Sequence, residues 1–396
     1  RRCRTSAEKS SACRIQAEAA SDLPAAQDRF RILTKSKIMK IGILNSGGDC
    51  PGLNAVIHGV VGAADQLGWE VIGFRDGFEG LLPPGDYCVL KPENTIDILK
   101  LGGTILGSSN KGHFAAKIGK GDIAEVPAEI VAKAKRTIDQ LGVTALVIVG
   151  GDGSLTTGLQ LYREGWPIVG VPKTIDNDLG ATAMTFGFNS AVETVVDSLD
   201  RLHTTAASHK RVMVLEVMGR HAGWIALWGG IAGGANVILL PEIPFDLENV
   251  AKFIKQRDAQ GQHSTLVVVA EGASMPNGAG VVTLDANSGG EVRLGGIGEQ
   301  VAKSLQQLTG KETRACTLGH LQRGGAPTSL DRILGVRFGV MAVKLAEQGQ
   351  FGRMVSYQSY HVGSVSIEEA VHQLRLVEPE GELVQAARAI GICLGN

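Results

Sequence analysis

Neither sign of charge prevails in this sequence: 39 Lys and Arg stand against 40 Asp and Glu, a formal net charge of −1. A chain so balanced has no global field for nucleic acid or an anionic membrane surface, so no nucleic-acid or membrane partner is expected and any anion site must be local. Cysteine is sparse, and Cys3, Cys13, Cys50, Cys88, Cys316 and Cys393 form neither a CxxC pair nor a zinc-ligand spacing. Scattered cysteines of this kind suit reduced thiols and a cytoplasmic location. No apolar run reaches the about 18 to 20 residues that a bilayer-crossing helix needs; residues 145–149 and 266–270, among the longest, are strand-length. Walker loop, Rossmann glycine fingerprint and internal repeat are all missing.

Hydrophobic residues make up 44% of the 396, enough for two α/β domains with cores of their own. The 53 glycines follow no collagen period and gather at the ends of apolar runs, as tight turns and close backbone approaches to a ligand require. Residues 1–38 differ from the rest: rich in Arg, Ser and Ala, poor in acids, without a hydrophobic period. They read either as an organellar transit peptide or, preferably, as an upstream extension with Met39 the true first residue, since the chain does not begin with Met. Either way they are expected to stay outside the fold.

From residue 40 onward strand and helix patterns alternate. Residues 41–44, 71–73, 145–149 and 168–171 read as strands, the last ending at Pro172, and residues 54–67 and 127–141 as helices. The same grammar restarts after Asp178, with helices over 190–202, 223–232 and 247–256 and strands over 212–217, 237–240 and 266–270. Residues 277–296 read as a loop or hairpin. Such alternation predicts parallel sheets with helices on both faces, and ligands beyond the carboxyl ends of the strands.

The chemistry-bearing residues fall at those strand ends. Ser46-Gly47-Gly48-Asp49-Cys50-Pro51-Gly52 follows the first strand; its glycines admit a phosphate to backbone N–H groups, though a plain tight turn explains them equally well. Gly150-Gly151-Asp152-Gly153-Ser154 follows the strand at 145–149. A carboxylate among small residues suits Mg²⁺ held against phosphates, and Asp152 as a mere helix N-cap is the alternative. Pro172-Lys173-Thr174-Ile175-Asp176-Asn177-Asp178 packs two carboxylates and a hydroxyl into five residues, which suits proton removal from a sugar hydroxyl better than a solvated turn. Late in the chain come Arg211, Met218-Gly219-Arg220, Glu271, Arg314 and His320-Leu321-Gln322-Arg323-Gly324-Gly325; arginines grip phosphate through paired donors, though any single one could be a solvated surface group.

In this order and spacing, SGGDCPGLNA, GGDGS, PKTIDND, EVMGR and TLGHLQRGG resemble the bacterial-type 6-phosphofructokinases, from about Met39 to past residue 340. The resemblance implies two doubly wound parallel-sheet α/β domains with the active site in the cleft between them. Residues 39–187 with 322–372 would bind the phosphoryl donor, and residues 188–321 with 373–396 the sugar phosphate. It implies transfer of the phosphoryl group of ATP to fructose 6-phosphate, with Asp176 as base, Thr174 and Asp178 shaping its site, and Arg220 at the transferring group. Asp152 would hold Mg²⁺, with Gly47, Gly151, Gly153, Ser154, Lys173 and the pair Asn110–Lys111 around the donor. Met218, Gly219, Arg220 and Glu271 would hold the sugar, and His320 and Arg323 its phosphate. Arg211 and Arg314 match arginines that reach in from a neighbouring subunit, so a homodimer or homotetramer with shared active sites is expected.

Three departures qualify the resemblance. Asn110 stands where well-studied members carry an arginine, and Lys111 would have to supply that charge. Gly153 is typical of ATP users and Lys173 of pyrophosphate users. Sterics favour ATP, because a carboxylate at residue 153 would exclude the α-phosphate; a pyrophosphate-dependent enzyme is the alternative. Finally, the basic pocket that binds ADP and phosphoenolpyruvate in regulated members falls here on His58, Gly62, His203, Gln260 and Gln262, with Asn236 at its acidic position, so no response to either effector is expected. A GGDG kinase acting on NAD or lipid is disfavoured by residues 172–178 and 320–325. A catalytically inactive regulatory relative is disfavoured by Asp152, Thr174 and Asp176.

Overall fold

The computed structural model describes residues 39–109, 112–114, 125–275, 283–284, 293–294 and 296–396. Expectations for residues 1–38, Asn110 and Lys111 lie outside the described residues.

In chain order the elements are β1 (Lys40–Asn45), α1 (Leu53–Gln66), β2 (Glu70–Phe74), β3 (Tyr87–Leu90), α2 (Pro92–Thr95), α3 (Ala128–Leu141), β4 (Ala145–Gly150), α4 (Asp152–Arg163), β5 (Ile168–Thr174), β6 (Phe186–Gly187) and α5 (Phe188–His209). There follow β7 (Val212–Val217), α6 (Trp224–Ala232), β8 (Val237–Leu239), α7 (Leu247–Ala259), β9 (Thr265–Ala270), β10 (Thr283–Leu284), β11 (Arg293–Leu294) and α8 (Ile297–Thr309). The last are β12 (Thr313–Thr317), α9 (Ser329–Glu347), β13 (Arg353–Gln358), β14 (His361–Ser366), α10 (Ile367–His372) and α11 (Glu382–Ala389).

Among the described residues two large sheets form. One has the order β14-β13-β5-β4-β1-β2-β3, with β6 paired to β5; the other runs β12-β7-β9-β8. The second is parallel throughout. The first is parallel in its centre but closes each edge with an antiparallel strand, β3 on β2 and β14 on β13, so it is mixed rather than wholly parallel. The central strands lack polar alternation because helices cover both faces: β4 and β9 are buried along their whole length. On α3, Ile130, Val131, Ala134 and Ile138 face the core at the expected helical spacing. Residues 277–296 include an antiparallel pairing of β10 with β11, as a hairpin would have.

One strand runs longer than its sequence suggested. β5 passes through Pro172 to Thr174. Its pairing with β13 stops at Gly170, so on that side the ladder has ended before the missing proline N–H matters. Beyond it β6 pairs with Lys173 and Thr174. The extension carries Lys173 and Thr174 to the carboxyl edge of the sheet.

Candidate active site

At the carboxyl edge of the larger sheet three segments meet. After β1 the chain turns at Gly47, which has a left-handed φ of 84°; its N–H donates to Ser109 O (3.1 Å), and Ser108 Oγ donates to its carbonyl (2.6 Å). Any side chain on Gly47 would point at Lys173 Nζ and Ser154 Oγ, 3.3 and 3.5 Å from an added Cβ. After β4, Gly151 is the N-cap of α4 without a side-chain cap, and Asp152 is the first helical residue. Asp152 is therefore not the helix cap, and Ser154, two residues on, has its hydroxyl beside the turn after β1. Burial raises the pKa of the Asp152 carboxyl, and the charge of Asp178 adds to the rise.

Lys173, at the end of β5, is 4% exposed, and its ammonium donates to Gly48 O. Burial pulls its pKa down. Its charge is turned into the glycine turn rather than toward solvent.

Next along β5 comes the acidic turn. Thr174 Oγ1 accepts from Asp176 N (3.1 Å) and donates to Asp178 Oδ1 (3.2 Å), fixing the two acids relative to the strand end. Asn177 takes a left-handed φ of 53°, and its Oδ1 accepts from Thr185 N (3.0 Å). Burial is the main cause that pushes the Asp176 carboxyl well above its ordinary range, and the neighbouring Asp178 pushes the same way. Arg323 pulls it back, Glu271 raises it further, and Lys173 lowers it. A carboxylate so placed is a base poised near neutrality.

Glu271 belongs to the carboxyl edge of the smaller sheet. Its N–H donates to Val217 O (2.8 Å), and Gly272 N donates to Gly219 O (3.1 Å). An added Cβ on Gly272 would lie 1.9 Å from Arg220 O, so only glycine lets these two segments touch. Met218, Gly219, Arg220 and Glu271 are thereby assembled at the ends of β7 and β9. Burial and the nearby Glu216 raise the Glu271 pKa to about 7, against the pull of Arg323, the Gly219 amide and Arg220.

Arg323 joins the two edges. It follows β12 of the smaller sheet, yet its Nη1 donates to Asp49 O (3.2 Å) and lies 2.7 Å from where a Gly48 Cβ would stand. His320 is exposed in the same short helical segment, Gly319–Arg323. Arg211 and Arg314 are elsewhere. Arg211 precedes β7, at the end opposite Met218–Arg220, and Arg314 pairs beside it in β12; both hold Glu312, each at 2.7 Å. The length of β7, about 20 Å at the usual strand rise, separates them from the site of their own chain.

Several residues that pattern reading passed over support this arrangement. Gln322, fully buried, accepts from Met218 N (2.7 Å) and ties the late motif to the segment after β7. Glu216 accepts from Gly296 and Gly298 N–H groups behind Glu271. The charge of His221 lowers the pKa of Asp178, against the rise that burial causes. Gln322 lay inside a recognised motif and was findable; Glu216 and His221 carry no local signal, because only the fold brings them to the acids.

Among the described residues no cluster of three or more His, Cys, Asp or Glu forms a ready-made metal site, and no helix is long and apolar enough to cross a membrane.

Comparison with known proteins agrees with this geometry. The ATP-dependent 6-phosphofructokinase of Chloroflexus aggregans is 50% identical over 361 residues, 91% of this chain and 99% of that protein. The pyrophosphate–fructose 6-phosphate 1-phosphotransferase of Amycolatopsis methanolica is 46% identical over 344 residues, 86% of this chain and 97% of that protein. Among solved structures, Pichia pastoris phosphofructokinase in the T-state superposes with a TM-score of 0.74 at 30% identity, covering 94% of this chain but 39% of that one, so this chain spans well under half the yeast chain. The phosphofructokinase family model matches residues 40–346, and the chain belongs to that family.

Proposed function

We propose that this protein is an ATP-dependent 6-phosphofructokinase, transferring a phosphoryl group from ATP to fructose 6-phosphate. One observation carries the reading: Asp176, buried and tied through Thr174 to the end of β5 beside the Lys173 that reaches the glycine turn, is a base near neutrality that feels the donor-side Lys173 and, across the site, the sugar-side Arg323 and Glu271. A group with that reach can take a proton from a sugar hydroxyl while the donor lies along the glycine turns. Phosphoryl transfer asks for little more than such positioning and charge neutralisation.

In this reading residues 39–187 with 322–372 bind the donor, and residues 188–321 with 373–396 the sugar phosphate. Gly47, Gly151, Gly153 and Ser154 cradle the phosphates. Met218, Gly219, Arg220 and Glu271 hold the sugar, and His320 and Arg323 its phosphate. Asp152 suits Mg²⁺: a carboxylate whose proton affinity is raised by burial and by the charge of Asp178 is relieved by a divalent cation, and Mg²⁺ commonly takes only one or two carboxylates and completes its shell with phosphate oxygens and water. The ion would supply charge neutralisation on the phosphates. A cytoplasmic location and a homodimer or homotetramer belong to the same reading.

ATP is favoured over pyrophosphate on two grounds. Gly153 puts no side chain between Asp152 and Ser154 in the first turn of α4, and Lys173 is committed to Gly48 O. The test is an assay of the purified protein with fructose 6-phosphate, Mg²⁺ and either donor. ATP is expected to support turnover and pyrophosphate not, and Gly153→Asp should suppress ATP use by crowding and like-charge repulsion. Robust activity with pyrophosphate would refute the donor assignment and leave Lys173 as the better guide.

The lack of ADP and phosphoenolpyruvate control is proposed on the same footing. Asn236, at the pocket's acidic position, spends its side-chain oxygen on Leu266 N (2.9 Å), and His58 Nδ1 lies 3.0 Å from Thr95 O. Neither is a spare ligand for a polyanion, and losing several charge-assisted hydrogen bonds, about 1.5–3 kcal/mol each, should abolish binding. Initial rates against fructose 6-phosphate should show no activation by ADP and no inhibition by phosphoenolpyruvate through this pocket. A shift in half-saturation that vanishes on mutating His58 and His203 would show the pocket to be working.

A further inference from the structure

The acidic turn that carries Asp176 is held from two sides. On one side Thr185 does the holding, through Asn177 Oδ1 and through Thr174 O, to which its Oγ1 donates (2.7 Å). On the other stands Arg375, nearly two hundred residues later in the chain. Its backbone N–H donates to Asp178 O (2.8 Å), and its Nη1 donates to Asn177 O (3.4 Å). Asn177 has a left-handed φ of 53°, which asparagine tolerates better than most residues, and these bonds fix the turn in that conformation.

Arg375 is itself gripped by the smaller sheet's side of the molecule. Its guanidinium lies 4.2 Å from the ring centroid of Trp224, and Trp224 Nε1 donates to its carbonyl (2.8 Å). Trp224 opens α6, a few residues after Arg220. The N-cap of that helix, Gly223, donates its N–H to Glu242, and Glu242 also accepts from Val377 N (2.8 Å), two residues past Arg375. A continuous chain of contacts therefore runs from the base-bearing turn on β5, through one arginine, to the amino end of α6. Beyond the turn itself, Arg375, Trp224, Gly223, Glu242 and Val377 have no part assigned in the chemistry.

We propose that Arg375 is a positioning residue, fixing the Asp176–Asp178 turn against the amino end of α6 so that the base and the sugar-holding segment keep one geometry. The inference rests on the reading of Asp176 as the base. Because the Arg375 side chain meets the turn at a backbone carbonyl, Asn177 O, and otherwise lies on the ring of Trp224, its loss should leave substrate contacts in place and disturb the aim of the carboxylate. Misplacement by about an ångström costs up to about a hundredfold in rate.

The test compares Arg375→Met, Arg375→Lys and Asp176→Asn, alone and with Arg375→Met combined with Asp176→Asn, under saturating donor, well below each variant's melting temperature. Arg375→Met keeps the apolar stem on Trp224 and removes the guanidinium. It is expected to lower kcat about tenfold or more while KM for fructose 6-phosphate stays within about twofold. Arg375→Lys should recover a large part of the loss. In the Asp176→Asn background Arg375→Met should cost nothing further, since there is no base left to aim. Should Arg375→Met fail to fold, Trp224→Phe, which keeps the ring and removes the Nε1 donor, should give a smaller kcat loss in the same direction, with KM held. Unchanged kcat in folded Arg375→Met, or a loss confined to KM, overturns the inference. So does a slow Asp176→Asn enzyme in which the two losses multiply. Near-wild-type turnover by Asp176→Asn overturns the base assignment first, and the inference with it.

Discussion

Asp176 illustrates how a single carboxyl is made useful at some expense to the fold. Burial and the adjacent Asp178 raise its pKa, so the folded protein binds that proton more tightly than the unfolded chain does. By linkage, its contribution to stability is greatest below the ordinary carboxylate range, about pH 4, and is lost as pH rises through the raised value. Asp176→Asn removes the ionisation and keeps the shape. It should cut kcat by about a hundredfold or more, and it should raise the melting temperature of the unliganded protein near neutral pH, with a gain that shrinks toward about pH 4. Thermal melts across that range, beside the kinetics, check both halves. A variant that is slower and no more stable at neutral pH would mean that Asp176 is not held in an unfavourable charged state. In the wild type the acid limb of kcat/KM for fructose 6-phosphate should lie near neutrality, because only the deprotonated carboxylate can accept the hydroxyl proton.

At the scale of elements, what could be read in advance and what could not separates along physical lines. β1, β4, β7 and β9 and helices α1, α3 and α7 were legible because an apolar run or a 3.6-residue period marks them. The strand-end motifs were legible as an ordered set, although a tight turn or a helix cap explains a single one of them. Helix α9 was not. Its buried Leu334, Phe338, Ala342 and Leu345 keep helical spacing, but Gly335 and Gly339 share that face while Ile333 and Val340 stand exposed, so the apolar stripe is blurred. The reason lies in its partner. An added Cβ on Gly59 of α1 would come within 2.4 Å of Val336 O, and one on Gly339 within 2.4 Å of Val56 O. The two helices cross at backbone contact, which the sequence shows only as small residues. Arg375 was invisible for another reason: its partners, Asn177 and Trp224, are remote in sequence, and a lone arginine near the end of a chain has no pattern. The crossing gives a prediction. Gly59→Ala must push α9 away from α1 against main-chain atoms that cannot rotate aside, and should destabilise the protein by about 1–3 kcal/mol. Since neither helix supplies a residue placed in the site, kcat at a temperature well below melting should stay close to wild type. Denaturant unfolding and a turnover assay on the same samples decide it.

At the scale of the whole molecule, the position of Arg211 and Arg314 sets the problem. Both lie at the amino end of the smaller sheet, joined through Glu312, while Glu271, Met218 and Arg220 lie at its carboxyl end. One chain cannot bring these two ends to the same substrate. If the arginines hold sugar phosphate, they do so for another copy, and each site takes its base from one subunit and its arginines from another. Oligomers with closed symmetry make such sharing reciprocal. Two inactive variants should then rescue each other. Asp176→Asn spoils the base and Arg211→Ala the borrowed cation. In a mixed pair, one site inherits both lesions, and the other is assembled from an intact Asp176 and an intact Arg211. After dissociation and random reassociation of equal amounts, about a quarter of all sites should be wild type in composition, and activity should return to that level from two nearly silent parents. Recovery should require that the subunits exchange, so mixing without dissociation is the control. If the hybrids stay inactive although exchange is demonstrated by tagged subunits, the arginines serve their own chain or none, and Glu312 is simply their structural partner.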